Sequence, residues 1–199
     1  MCKIIPGKKN LGAYTFLLPT PIVLCGTYDK DRRPNIATLA WAGLCCSEPP
    51  SVQISVRRER YTHTAILAKK EFTVNVPPAS LAKEIDFCGM ASGRDVDKFE
   101  RARLTPKRGE LVDAPIVDEF PLCLECRLRH RVELGSHDMF IGEIVASWFS
   151  EDCLDENGQP DPLKISPLSF TPLKTASSYY KLGESAGRAF DIGKSLLAK

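Results

Sequence analysis

The chain has 199 residues, 43% hydrophobic and 26% charged, with a formal net charge of +2. These are ordinary globular values, with length enough to bury a core, and the near-balanced charge excludes the broad basic footprint of a general nucleic-acid or membrane-surface binder. No apolar run is long enough to span a membrane, and the first nine residues lack the apolar middle of a signal peptide, so the expectation is a soluble, cytoplasmic protein.

Residues 3–11 form a polar lead-in and residues 14–18 a short apolar stretch. Pro19-Thr20-Pro21 enforces an extended approach, because the residue before a proline avoids the helical region. Residues 22–28 read as a continuous apolar strand and 29–34 as a turn rich in Asp, Arg and Pro. Residues 35–44 then read as the return strand of a hairpin. Pro49-Pro50 breaks the ladder, since neither nitrogen can donate. A strand over 51–57 leads to a short helix over 61–70 and an alternating strand over 71–76. In the last of these Phe72, Val74 and Val76 point inward and Thr73 and Asn75 outward. Ser80 reads as the N-cap of a helix over 81–88, with Glu84 close to the capping-box position. A flexible polar loop over 89–95 precedes a brief helix over 96–102, and residues 103–121, with three prolines and a glycine, read as irregular. Strands over 122–134 and 139–149 are joined by Gly135-Ser136-His137-Asp138, a hairpin signal. A surface loop over 152–162 and a mixed tail from 164 complete the chain. Six or seven strands separated by turns, without regular strand–helix alternation, predict a mainly β protein. The architecture is an antiparallel barrel or sandwich with a few short peripheral helices. One domain over 1–199 is expected, with 1–10 as a lead-in and 164–199 as a tail packed on the barrel or on a partner subunit.

The strand over 51–57 has two unlike faces: Val52, Ile54 and Val56 point one way, Ser51, Gln53, Ser55 and Arg57 the other. Such a polar row meets either water, as on the outer face of many antiparallel sheets, or a polar ligand. Arg60, Tyr61, Thr62, His63 and Thr64 add donors at the strand's end. A phosphorylated planar cofactor would use both clusters. Its phosphate takes guanidinium, ammonium, hydroxyl and amide donors, and its ring takes apolar or aromatic walls. His63 reads as a ligand-contacting or surface donor, His130 and His137 as ordinary strand and turn residues.

Eight cysteines scattered through a non-secreted chain read as small buried hydrophobes. Cys123 and Cys126 match a CxxC pattern, but strand alternation points residues three apart to opposite faces. No second pair completes a four-ligand site. Cys45 and Cys46 diverge in the same way, and Cys45 reads as a packing residue rather than a redox group. Gly183-Glu184-Ser185-Ala186-Gly187 fits the nucleophile-elbow pattern, which needs a later histidine; the last one is His137. Neither a glycine-rich dinucleotide fingerprint nor a P-loop occurs.

An ordered series of motifs carries more information than any one of them. It begins with Pro19-Thr20-Pro21, Pro34-Asn35 through Thr38-Leu39-Ala40-Trp41, Cys46-Ser47-Glu48-Pro49-Pro50, and Ser55-Val56-Arg57 with Tyr61-Thr62. It continues with Phe72 to Pro77, Gly89 with Ser92-Gly93, Asp97-Lys98-Phe99 and the late Tyr179-Tyr180-Lys181-Leu182-Gly183. The series resembles the flavin reductase-like, FMN-binding split-barrel family, and within it the flavoredoxin group. The resemblance implies a homodimer of Greek-key split barrels, each binding one FMN non-covalently near the subunit interface. It implies redox chemistry on the flavin, with NADH or NADPH, or a redox partner protein, as electron source. It places Thr38, Leu39, Ala40 and Trp41 against the isoalloxazine and ribityl chain, and Ser55, Arg57, Tyr61 and Thr62 at the ribityl and phosphate. Asn75 falls on the neighbouring strand, Ser92, Gly93 and Lys98 on a loop near the phosphate, and Phe170 or Tyr180 reaches the ring from the tail. No catalytic side chain is implied. Two alternatives stand beside this reading: a non-catalytic flavin-binding or sensor module, and third a cysteine-based metal or thiol protein.

Overall fold

Strands form where apolar and β-branched residues alternate, and they stop where proline or glycine interrupts the ladder. The computed structural model describes residues 6–173 and 175–197. Residues 1–5 of the lead-in, where a signal peptide would begin, and residues 174, 198 and 199 of the tail lie outside the described residues. Strand β1 (Thr20–Pro21) is followed by β2 (Val23–Tyr28) and, after a tight loop, by β3 (Pro34–Leu39). Asp29 shapes that loop, its Oδ1 accepting the amides of Asp31 and Arg33, each at 2.8 Å.

The return strand expected over 35–44 is in fact two strands. The backbone bends at Ala40 and Trp41, and β4 (Ala42–Ser47) pairs with β5 (Pro50–Arg57), whereas β3 pairs with β2. A strand that leaves one edge of a curved sheet for the other must bend at the corner. Helix α1 (Tyr61–Lys69), β6 (Glu71–Val76), α2 (Ala82–Met90) and α3 (Lys98–Ala102) come next. Ser80 lies in a 3-10 turn and does not cap α2, whose N-cap is Leu81 without a side-chain bond. Asp97 does cap α3, accepting the Glu100 amide at 3.0 Å.

The stretch expected to be irregular holds a small hairpin, β7 (Pro106–Arg108) with β8 (Pro115–Val117). Strands β9 (Leu122–Leu134) and β10 (His137–Phe149) are joined by two residues, with Gly135 at φ +51°. This is the left-handed region that a tight hairpin demands. After α4 (Pro162–Ile165), β11 (Leu168–Thr171) and β12 (Ser178–Lys181) join β1 in a three-stranded sheet. The main sheet is antiparallel, in the order β3-β2-β6-β9-β10-β5-β4, so the bent segment supplies both of its edges. The result is the mainly β, antiparallel split barrel with a few short helices that the sequence predicts.

Two apolar clusters flank the sheet. One joins Leu24, Ile36 and Cys123 to Ile85 and Phe99 of α2 and α3; the other joins Ile54, Val56, Phe72, Cys126 and Phe140 to Ile66 of α1. Cys123 and Cys126 thus fall in different clusters, as alternation requires. Coverage on both faces corrects the outward placement of Thr73 and Asn75, which are fully buried. Strand β6 is central, and β8 lies over its polar face. Thr73 donates its hydroxyl to the Pro115 carbonyl, and Asn75 Oδ1 accepts the Val117 amide at 3.2 Å.

Candidate functional site

The bend at residues 38–41 is the spine of a continuous groove made of three adjoining cavities. The first, about 360 Å³, lies between Thr38 and Leu39 on one side and the start of α1 and the 89–94 loop on the other. The second, about 230 Å³, shares Thr38, Leu39 and Arg60 with it and adds Trp41, Ser55, Arg57 and His137. The third, about 370 Å³, shares Ala40, Trp41 and Ser55 with the second and opens toward residues 15–21. Thr38, Leu39, Ala40, Trp41, Ser55, Arg57, Tyr61, Thr62, Ser92, Gly93 and Lys98, all expected at a cofactor, line this groove; Asn75, His63, Phe170 and Tyr180 do not.

Asn75 is a correction with a clear cause. Its amide nitrogen donates to Leu24 O at 3.0 Å and Thr73 Oγ1 at 2.9 Å, and its oxygen is taken by Val117, so the side chain knits strands together beneath the surface. His63 is a second correction. It is buried, its Nε2 lies 2.7 Å from Asp138 Oδ2, and its ring meets Phe140 edge-on at 5.2 Å. Phe170 tilts against Tyr179 in the small sheet and Tyr180 is exposed, so neither reaches the groove. Cys45 and Cys46 are exposed on β4, where a bulge lies between Leu44 and Cys46, so Cys45 packs into neither core cluster of its own chain. Ser185 stands in exposed, irregular chain rather than on a strand–helix turn.

The first cavity gathers cations and helix amides, with Glu59 as its one acidic lining residue. Helix α1 opens at Tyr61 behind Arg60, with no side-chain cap, so the positive end of the helix faces the cleft. Thr62 Oγ1 accepts from Asn35 Nδ2 at 3.0 Å, which fixes the first turn. Arg94 donates to the Glu59 carbonyl at 3.1 Å and lies over the Tyr61 ring at 5.6 Å. Gly93 sits so close to Asn35 that a Cβ there would overlap Asn35 Oδ1 and come within 2.9 Å of Tyr61 Cδ1. Glycine thus lets this loop pack closely on Asn35 and Tyr61. Under the floor Lys98 is 5% exposed, its Nζ donating to Ile36 O at 2.9 Å and Cys88 O at 2.8 Å. An ammonium has three donors, so two of them tie β3 to the end of α2 while Lys98 still lines the cleft. Burial pulls the Lys98 pKa down to about 8.

The middle of the groove is aromatic. Trp41 and His137 lie parallel, 9° apart, with ring centroids at 6.4 Å. Burial, then the Arg57 charge, lowers the His137 pKa from its ordinary value, so the ring is neutral near pH 7. Sequence reasoning passed over His137 as a turn residue. Its role follows from register: β10 pairs with β5 so that His137 faces Arg57, and no local pattern states that pairing. Thr38 anchors the spine through its hydroxyl, which donates to Ile85 O at 2.6 Å. The groove thus offers cations, hydroxyls and amides at one end and flat apolar walls at the other, the donor set and shape that suit a phosphorylated heterocycle. Among the described residues, no group of three or more His, Cys, Asp or Glu is placed to hold a metal ion, and no helix is long and apolar enough to cross a membrane.

Residues 15–173 match the family model of the flavin reductase like domain. The fold superposes on flavoredoxin of Desulfovibrio vulgaris (Miyazaki F) with a TM-score of 0.88 and 45% identity, covering 94% of this chain and 99% of that one. Flavoredoxin from Methanosarcina acetivorans gives 0.87 and 34%, covering 95% and 98%. An uncharacterized protein of Archaeoglobus fulgidus is 32% identical over 152 residues, 76% of this chain and 82% of its own length. With the barrel and groove described above, these likenesses establish that the chain belongs to the flavin reductase-like family of split-barrel, flavin-binding oxidoreductases.

Proposed function

We propose that one FMN binds non-covalently in this groove and that the protein passes reducing equivalents through it. Hydride from NADH or NADPH, or electrons from a redox partner protein, are the proposed source. The observation that carries the reading is the polarity of the groove: the α1 terminus, Arg60, Arg94 and Lys98 gather at one end, and Trp41 and His137 stand in its middle. Bound flavin supplies the two-electron chemistry itself, so no side chain need act as acid, base or nucleophile. The chain's residues have simpler tasks. Thr62 and Ser92 present hydroxyls to the phosphate and Tyr61 and Gly93 their backbone, the Tyr61 hydroxyl being taken by Asp29 Oδ2 at 3.0 Å; Lys98 and the arginines neutralise the phosphate. Thr38, Ser55 and Arg57 follow the ribityl chain, and Leu39, Ala40 and Trp41 wall the ring. The proposed unit is a homodimer, supported by the exposed apolar stretch of β4, where Leu44 is 79% exposed.

The test is direct. Purified protein is expected to be yellow, or to take up added FMN and not riboflavin with comparable affinity, since riboflavin lacks the phosphate. Failure to bind FMN overturns the proposal. Anaerobic mixing of the FMN-loaded protein with NADH and with NADPH then separates turnover from passive binding: rapid bleaching by either marks a reductase, and inertness to both favours a partner-fed carrier or a sensor. A thiol or metal function built on Cys123 and Cys126 is disfavoured by their burial in separate clusters.

A further inference from the structure

Helix α1 begins where little of its own sequence holds it. Arg60, the N-cap, makes no side-chain bond to the first turn, and the amides of Tyr61 and Thr62 open the helix without partners inside it. On the groove side, Asn35 fixes Thr62 and Arg94 fixes the Glu59 carbonyl. Asp138, with no exposed surface, fixes the other side. Its Oδ1 accepts from Arg58 Nε at 3.0 Å and its Oδ2 lies 2.7 Å from His63 Nε2. A carboxylate can only accept, so His63 donates. One carboxylate thus grips the chain both before and after the N-cap. Arg131 of β9 backs the same oxygen, its Nη2 2.6 Å away. Neither Asp138 nor His63 lines any of the three cavities.

Apolar residues of the same volume would stabilise this crossing as well or better, because charges lose their water on burial. What they would not do is fix a direction, which a hydrogen-bonded carboxylate does. Register puts the carboxylate in place: Asp138 pairs with Val56 of β5 as His137 pairs with Arg57. The strand that supplies the middle of the groove therefore also supplies the grip on α1. We propose that Asp138 is a positioning residue for anion recognition: through Arg58 and His63 it aims the Tyr61 and Thr62 amides into the first cavity without touching the ligand. The name of the ligand rests on the FMN reading; the aiming of the amides does not. Asp138 thereby sets how strongly the groove prefers a phosphorylated flavin to the same ring without its phosphate. Donors in a binding site tolerate only about 0.5 Å of play, and loss of this grip frees Arg58 and His63 to let the first turn shift.

The experiment titrates the full chain with FMN and with riboflavin, followed by flavin fluorescence, and reads the ratio of the two affinities. Asp138→Asn and His63→Leu are each expected to lower that ratio at least about tenfold, since misplaced donors lose their directional bonds. His63→Gln, whose carboxamide can donate to the same oxygen, is expected to keep it. Gly142→Ala strains β10 against Phe72 and is expected to lower Tm with the ratio unmoved, which separates positioning from stability. Where Asp138→Asn does not fold, the two His63 variants decide. A ratio unmoved in His63→Leu, His63→Gln no better than His63→Leu, or Gly142→Ala lowering the ratio as far would overturn the proposal. Inorganic phosphate, titrated against the Tyr61 and Thr62 amide resonances, reads the same end of the groove without flavin. Those amides are expected to shift, and to shift less in His63→Leu; amides that ignore phosphate in the unaltered protein overturn the proposal as well. FMN bound with the ratio unmoved removes the positioning role alone. Protein that ignores FMN but keeps a phosphate response, lost in His63→Leu, removes only the flavin reading.

Discussion

Lys98 sits where a charge is hardest to keep, nearly buried and shared between two backbone carbonyls of different elements. Its pKa of about 8 against an ordinary 10.5 has two consequences of opposite sign. In the ligand-free protein, burying the ammonium opposes folding below pH 8. That cost is relieved between pH 8 and 10.5, where the unfolded chain still holds its proton and the folded one does not. A bound phosphate wants the protonated form, so FMN affinity is expected to fall as pH rises through 8, and fluorescence titration of Lys98→Met should show a flatter profile. Truncating a charge-assisted hydrogen bond removes about 1.5–3 kcal/mol. Lys98→Ala is therefore expected to weaken FMN binding by roughly tenfold or more, and Arg57→Ala by less. Arg57 is exposed and shares its charge with Glu59 at 3.5 Å. Unchanged affinity in both variants would remove the phosphate assignment. The polar row that singles out Ser55 and Arg57 is visible in sequence; the burial that sets the Lys98 pKa is not, because it depends on β3 and α2 meeting above it.

Elements are held in register by a few buried polar groups. Asp138 opens β10 with no exposed surface and binds His63 of α1 at 2.7 Å, Arg131 of β9 at 2.6 Å and Arg58 at 3.0 Å. Burial raises its pKa, but the bonds from His63, Arg131 and Arg58 prevail and hold it at about 2. This stabilisation is present above the ordinary carboxyl pKa of 3.8 and is lost as pH falls through about 2. Asp138→Asn is expected to lower stability by about 2–4 kcal/mol at pH 7, measured by urea unfolding, because two arginines and a histidine lose their shared acceptor. Packing is equally specific at Gly142 of β10, where a Cβ would come within 2.5 Å of Phe72 Cζ on β6. Gly142→Ala should overpack that crossing and cost about 1–3 kcal/mol, seen as a lower Tm. A Tm equal to that of the unaltered protein would show that Phe72 yields freely.

The whole molecule exposes 12948 Å², whereas a folded monomer of 22.0 kDa is expected to expose about 9,300 Å². The excess, of about 3,600 Å², is carried in part by a C-terminal arm on which Phe190 is 99% and Leu196 88% exposed. Obligate dimers bury roughly 2,000–5,000 Å² summed over both chains, so a second copy is the expected cover for part of this apolar surface. Sedimentation should return twice the chain mass of 22.0 kDa, and removal of residues 184–199 should weaken the association. A monomer at micromolar concentration would contradict the homodimer.

The alternation of Phe72-Thr73-Val74-Asn75 and of the β5 residues was enough to establish strands, because side-chain direction along an extended chain is a local property. The proline and glycine positions marked the turns, and the ordered motifs marked the family and most of the groove. What lay beyond the sequence was what the polar faces meet. Asn75 and His63 are polar residues that the sheet and α1 turn inward, and His137 becomes part of the groove only through its pairing with Arg57. The bend at Ala40 and Trp41, with the split of one expected strand into two sheet edges, was likewise settled by closure of the barrel. Local chemistry sets where a chain can bend or alternate; partners distant in sequence determine what each side of it touches.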